Sequence, residues 1–284
     1  MSKPAVISRY LSLTTCEAVK NDFGFLINKI RESGFEYDLQ IRDDYLNLYY
    51  KGNSIGKISY RTDKKAYEVT INRKFLKDSI LKHFPLKSGN TSKEPYAVFV
   101  LPCKQLHPFF SSNNLDSMSQ KVKDVHFQEE IIFEQMLLTD NANRDDLIII
   151  DRQVIDKEHL TKMDLLALKQ EAAGKYQFLV LEVKLGNNPE LKEDVYKQLK
   201  GYVERIDKNF YDYKDCYELN FKQKQGLGLF PGNLNIEIVE GVLGIVVVGG
   251  YSGLAKKNIS ELKANHPDIK VLHIKNEISF NNLI

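Results

Sequence analysis

The run Phe178-Leu179-Val180-Leu181-Glu182-Val183-Lys184 is apolar enough for a buried strand, yet it carries a carboxylate and an ammonium two residues apart. In a strand, side chains alternate between faces, so Glu182 and Lys184 share one face and Val183 takes the other. Asp164 lies in a second apolar run, Met163 to Leu168, and the turn-like segment Glu171-Ala172-Ala173-Gly174-Lys175 separates the two. A hairpin centred near Ala173 sets Asp164 opposite Glu182, with cross-strand Cβ atoms about 5 Å apart. Two carboxylates and a lysine then meet on a buried sheet, which is costly unless a divalent cation binds there. The plainer reading is an ion pair at a sheet edge. Glu-x-Lys also occurs at Glu190-Leu191-Lys192 and Glu261-Leu262-Lys263. Those two lie in polar segments of helical periodicity and read as solvated helix faces.

Four short elements follow one another in a telling order. Asp151-Arg152-Gln153-Val154, then Asp164-Leu165-Leu166-Ala167-Leu168, then Leu181-Glu182-Val183-Lys184-Leu185, then Gln198-Leu199-Lys200-Gly201-Tyr202 resemble the PD-(D/E)XK nuclease superfamily. The similarity is greatest to its RecB-like and NucS-like branch and covers residues 127–274. The proline that names the superfamily is absent, since Met163 precedes Asp164. The resemblance implies an α/β domain with the restriction-endonuclease-like αβββαβ core, a mixed sheet flanked by helices. It also implies a metal-dependent nuclease that hydrolyses phosphodiester bonds, most simply a DNA endonuclease of repair, restriction or defence.

Each matched residue then has an implied role. Asp164, Glu182 and the Val183 carbonyl would hold Mg²⁺ or Mn²⁺, which prefer hard oxygen donors. Such an ion polarises a scissile phosphate and lowers the pKa of the attacking water. Lys184 would orient or deprotonate that water, or stabilise charge developing on phosphorus, and the sequence does not choose among these. From Pro189 to Ile206, Leu191, Val195, Leu199, Tyr202 and Ile206 recur at helical spacing. Gln198 borders that stripe, where it would either reach the site or remain an ordinary polar residue at a helix edge. A further acid would come from a helix spanning Phe127 to Leu138, which holds Glu129, Glu130 and Glu134. Glu130 is the choice, because its separation from Asp164 resembles the family's. Glu134 lies one turn later on the same face.

The 284-residue chain is long enough for two domains, and its 43% apolar content supports full cores. No run approaches the roughly 18 apolar residues of a membrane span, the longest being Val242 to Val248. The first residues lack the apolar core of a signal peptide. Cys16, Cys103 and Cys216 are odd in number and far apart, and the six histidines show no ligand spacing. A cytoplasmic protein without a His/Cys metal site is the expectation. The net charge of +2 is unevenly spread, with +7 in residues 1–124 and −5 in residues 125–284. A basic half beside an acid-bearing half suits a module that holds phosphates near a metal site, though surface scatter gives the same count.

The polar stretch 111–124, with Ser111-Ser112-Asn113-Asn114, reads as a linker. Before it, residues 1–110 form a smaller α+β domain for recognition of substrate or a partner. Its elements are a helix at Thr15–Glu32, a meander of strands at Tyr37–Ile41, Tyr45–Tyr50, Ile55–Tyr60 and Tyr67–Ile71, a helix near Arg73–His83 and a strand at Ala97–Leu101. Residues 125–284 form the nuclease-like domain, with 207–235 as an insertion. Lys222 to Gly228 reads as a basic loop, solvated or in contact with phosphate. Gly249-Gly250-Tyr251-Ser252-Gly253 resembles a nucleotide-binding turn but lacks the full glycine fingerprint. Tyr45, Tyr49, Tyr50 and Tyr60, interspersed with Lys51, Lys57 and Arg61, form either a base-stacking face or partly core. Nucleic acid, DNA before RNA, is the expected partner, with no membrane; the oligomeric state is open, and a homodimer is compatible. The alternatives are a non-catalytic nucleic-acid-binding or regulatory subunit with the same fold, and an RNA-cleaving toxin.

Overall fold

The computed structural model describes residues 5–34, 36–125, 129–157 and 161–275. The chain divides into two compact units, residues 8–131 with 216–233, and residues 1–7 with 132–215 and 234–284. Neither unit is a single stretch of sequence. Both boundaries of the expected 1–110 domain therefore change.

The first of these units begins with α1 (Leu13–Asp22) and α2 (Gly24–Glu32), interrupted at Phe23 where one helix was expected. Then come β1 (Tyr37–Ile41), β2 (Leu46–Tyr50), β3 (Asn53–Arg61) and β4 (Ala66–Asn72). A 3₁₀ turn at Arg73–Phe75, α3 (Asp78–His83), β5 (Tyr96–Pro102), α4 (Cys103–Phe109) and α5 (Ser112–Val125) follow. The strands pair in chain order β1-β2-β3-β4-β5, all antiparallel. Short turns suit this meander, because consecutive antiparallel strands need no crossover.

Segment 111–124 is not a linker. It is almost wholly α5, and its Leu115, Met118 and Val122 are buried in the core with Phe23, Leu48, Phe99 and Phe109. Ser112, Asn113, Asp116 and Gln120 lie on the exposed side of an amphipathic helix, while Ser117 and Ser119 are buried with its apolar stripe. A fragment ending at residue 110 would lack this helix and Leu227 of the same core.

In the other unit, α6 (Glu129–Asn141) precedes β6 (Leu147–Val154), β7 (Met163–Ala172) and β8 (Lys175–Leu185). A 3₁₀ turn at Pro189–Lys192 leads to α7 (Asp194–Lys208), α8 (Phe210–Gly226, of which residues 216–226 belong to the first unit), β9 (Glu237–Gly249), α9 (Ser252–Asn265) and β10 (Val271–Ile274). The sheet order is β10-β9-β8-β7-β6. The β6-β7-β8 meander is antiparallel, whereas β9 joins β8, and β10 joins β9, in parallel. The order here is helix, three strands, two helices, strand, helix, strand, an α/β arrangement. The parallel β8–β9 pair requires a long crossover, and α7 and α8 supply it. The predicted insertion 207–235 is thus mainly the helix α8.

Opposite faces of β8 are buried differently. Leu179, Leu181 and Val183 pack with Phe133 of α6, Leu165 and Val247. Alternation sends Phe178, Val180, Glu182 and Lys184 to the other face, which α7 covers: Leu199 and Val203 approach Gly244 of β9 so closely that a Cβ there would clash at 2.9–3.1 Å. The predicted stripe of Leu191, Val195, Leu199, Tyr202 and Ile206 is buried throughout. Gly249 has a packing reason of its own, since an added Cβ would run into the Phe133 ring. No helix among the described residues is long and apolar enough to cross a membrane.

Candidate active site

The β7–β8 hairpin brings the expected charges together. Leu165 pairs with Leu181, and extending that register by one residue faces Asp164 to Glu182. The Val183 amide donates to Asp164 Oδ2 at 2.9 Å, fixing that carboxylate beside β8. Lys184 Nζ lies 2.9 Å from Glu182 Oε1 and 4.0 Å from Asp164 Oδ2. Glu182 and Lys184 are buried, and the side chain of Asp164 is only 17% exposed.

A third carboxylate, which the sequence reading assigned to a solvated helix, also reaches Lys184. Glu190 Oε2 lies 3.1 Å from Lys184 Nζ. Its position follows from a short turn: Asn188 Oδ1 accepts the Glu190 amide, Pro189 occupies the first position and Leu191 is fully buried. Asn-Pro directly after the β8 strand was the available signal, because Asn caps and Pro starts such turns. It marks a turn folding back over the strand end, not a helix running away from it.

Burial first, and Asp164 second, push the Glu182 carboxyl up to about 8; Lys184 opposes this only in part. Burial alone would lower Lys184, but Glu182 and Asp164 outweigh it and hold the ammonium above its ordinary range. The Tyr202 hydroxyl, on α7, is raised to about 12 by burial and then by Glu182 and Asp164. It donates to the Lys162 carbonyl at 2.7 Å, which secures α7 beside the start of β7.

Gln198 lies one turn before Tyr202 on the same side of α7. It is half-buried, and its Oε1 is buried without a hydrogen-bond partner. On α6, burial first and Asp164 second raise the Glu134 carboxyl to about 7. Glu134 accepts from Arg152 Nη2 at 3.1 Å and from Gln153 Nε2 at 3.2 and 3.3 Å. Glu130, the first choice, stands one turn earlier and is half-buried. Gln153 holds a left-handed backbone, φ 49°, next to a register shift in β6. That conformation costs on the order of 1 kcal/mol or more for a non-glycine residue, and here it accompanies the two bonds to Glu134.

The donor set suits a hard divalent cation. Glu182 Oε2 is a buried carboxylate oxygen with no hydrogen-bond partner, on the residue that already contacts Lys184. Such an orphan costs free energy unless something outside the chain satisfies it. Among the described residues no group of three or more His, Cys, Asp or Glu side chains is arranged to hold a metal. The protein's share would be the two carboxylates of Asp164 and Glu182 with the Val183 carbonyl. Mg²⁺ commonly binds through one or two carboxylates and keeps several waters.

The other sequence signals take structural roles. Lys222 to Gly226 close α8, where Gln223 brackets Leu11 by accepting from its amide at 2.8 Å and donating to its carbonyl at 2.7 Å. Lys224 is buried against Gln40. A basic, glycine-ended segment therefore packs instead of forming a solvated loop. Tyr49 and Tyr50 are buried, while Tyr45 is half-buried with Lys57 Nζ 4.1 Å from its ring centroid. No protein-family model, curated protein or solved structure matches the chain.

Proposed function

We propose that the chain is a metal-dependent nuclease hydrolysing phosphodiester bonds, with DNA as substrate and a cytoplasmic role in repair, restriction or defence. The observation that carries this reading is the buried, unpartnered Glu182 Oε2 beside Lys184 and Asp164. A buried carboxylate oxygen left without a partner costs free energy, and an outside ligand would offset that cost. The choice of DNA and of biological setting rests on the resemblance of Asp164, Glu182-Val183-Lys184 and Gln198 to the PD-(D/E)XK pattern.

Asp164, Glu182 and the Val183 carbonyl would hold Mg²⁺ or Mn²⁺, which supplies charge to the scissile phosphate and acidifies a water. Lys184, as an ammonium, donates a hydrogen bond to a non-bridging phosphate oxygen and stabilises the charge that grows there. Glu134, anchored by Arg152 and Gln153, keeps a second acid beside Asp164. The amide of Gln198 orients the attacking water or the phosphate from α7. The unit containing residues 8–131 carries a net charge of +5 and the other −3, which favours phosphate capture by the first.

The test incubates the full chain with plasmid, linear duplex, single-stranded DNA and RNA, each with Mg²⁺, Mn²⁺ or EDTA. Cleavage of DNA only with a cation is expected. Binding without cleavage under every condition would replace the enzyme with a regulatory subunit, and cleavage confined to RNA would replace the substrate.

A further inference from the structure

The geometry points to Glu190 as a latch on Lys184. We propose that its carboxylate occupies the ammonium until an anionic phosphate oxygen of the substrate takes its place, so that Glu190 controls substrate capture and not the chemical step. This inference rests on the phosphodiester-cleaving reading above.

Lys184 Nζ has three N–H donors. One points to Glu182 Oε1 at 2.9 Å, a second to Glu190 Oε2 at 3.1 Å, and Asp164 Oδ2 stands at 4.0 Å. While all three carboxylates surround it, the ammonium presents little to an incoming anion. The three are not equally fixed. The side chains of Glu182 and Asp164 are 3% and 17% exposed, but that of Glu190 is 41% exposed. Only Glu190 can swing into water without unburying its neighbours.

Its turn is built for that movement. Leu191 is fully buried, and the Asn188 side chain caps the Glu190 amide at 2.9 Å, so the backbone is held while the side chain at 190 is free to rotate. Moving Glu190 out has two effects on a phosphate. It vacates one ammonium hydrogen, and it withdraws a negative charge from the approach. A half-exposed ion pair is worth little in water, so a phosphate can compete with it.

The test compares the full-length wild-type protein with Glu190→Gln and Glu190→Ala, using Glu193→Gln as a control. Glu193 is exposed and pairs with Lys197, so its loss changes local charge without touching Lys184. Steady-state cleavage of a DNA duplex with Mn²⁺ gives KM and kcat, and a labelled duplex in EDTA gives Kd. Both Glu190 variants are expected to lower KM and Kd by roughly fivefold, the order of one repulsive charge removed near a surface site. Their kcat should stay within about twofold of wild type, since the positioned acid–base and electrostatic groups remain. Glu193→Gln should move neither constant. Equal KM and Kd in wild type and both Glu190 variants, with cleavage intact, would overturn the latch alone. A fall in kcat of about tenfold or more would also overturn it, making Glu190 part of the chemistry. A gain in Glu193→Gln equal to that in Glu190→Gln would reduce the effect to general charge. Wild-type protein that neither cleaves nor binds nucleic acid would remove the nuclease reading and the latch together.

Discussion

Among the described residues two lysines are buried, one in each unit, and they are held in opposite ways. Lys224, on α8, gives a hydrogen bond to the neutral amide oxygen of Gln40 at 2.7 Å, and its Nζ lies 5.3 Å from the Phe230 ring centroid. Lys184, on β8, is ringed by three carboxylates, one of them reaching water. Gln40 belongs to β1, the first strand of an antiparallel meander. Lys184 sits near the end of a strand in a mixed sheet, where β7 and α7 converge on it. Burial of a charge is therefore not itself a mark of function. What marks Lys184 is the set of carboxylates around it, together with the orphaned oxygen of Glu182. Like charges gathered in a low-dielectric site repel one another, so the cluster costs the fold free energy.

The comparison breaks most clearly at the carboxylates. Asp164→Ala and Glu182→Ala are expected to lower cation-dependent cleavage by about 10³-fold or more, because each removes a donor to the ion that stabilises the transition state. Turnover on folded protein, verified by circular dichroism, measures this, and wild-type cleavage in excess EDTA would defeat the metal assignment. Lys184→Ala should lose about 10²-fold in kcat while keeping cation binding, the scale of one positioned electrostatic group. Lys184→Arg should not recover it, since a guanidinium has another shape and spreads its charge.

Lys224 sharpens the contrast from the other side. Lys224→Met fills much of the same volume but strands the Gln40 oxygen, and should cost about 1–3 kcal/mol of stability. Urea unfolding reads that loss, while kcat per folded molecule should be unchanged. A drop in kcat comparable to that of Lys184→Ala would show that the two lysines do not divide as argued.

The smallest effect concerns pH. In the folded, metal-free protein Glu182 is raised to about 8 and Glu134 to about 7, above their ordinary carboxylate values. The folded state therefore binds more protons than the unfolded one across that interval. Stability is fully present at low pH, below the unfolded pKa, and is lost as pH rises through the folded values. The metal-free Tm should thus fall between about pH 5 and pH 8, and Glu182→Gln should flatten the slope. Mn²⁺ should raise the Tm more at pH 8 than at pH 6, where protons compete for the same oxygens. Thermal melts across pH with and without Mn²⁺ decide it; a wild-type slope equal to that of Glu182→Gln would remove Glu182 as its cause.

The sequence determined the local pieces. Strict alternation in Phe178 to Lys184 and the turn at Gly174 were enough to place Asp164, Glu182 and Lys184 in one register, because a hairpin's pairing follows from its turn and its buried face. The helical stripe of α7 was equally legible, since its apolar spacing has one period. Only the tertiary structure decided which other groups join them. Glu190 looked solvated because its contact with Lys184 depends on how a four-residue turn folds back, which periodicity does not encode. Glu134 is held by Arg152 and Gln153 on β6, and the left-handed backbone at Gln153 leaves no trace in composition. The unit boundaries were hidden for the same kind of reason. Segment 111–124 is polar on its outer side and buried through Leu115, Met118 and Val122, and α8 returns Lys224 and Leu227 to a core begun some two hundred residues earlier. Local propensity acts over a few residues, whereas the closing of these contacts is a property of the whole packed chain.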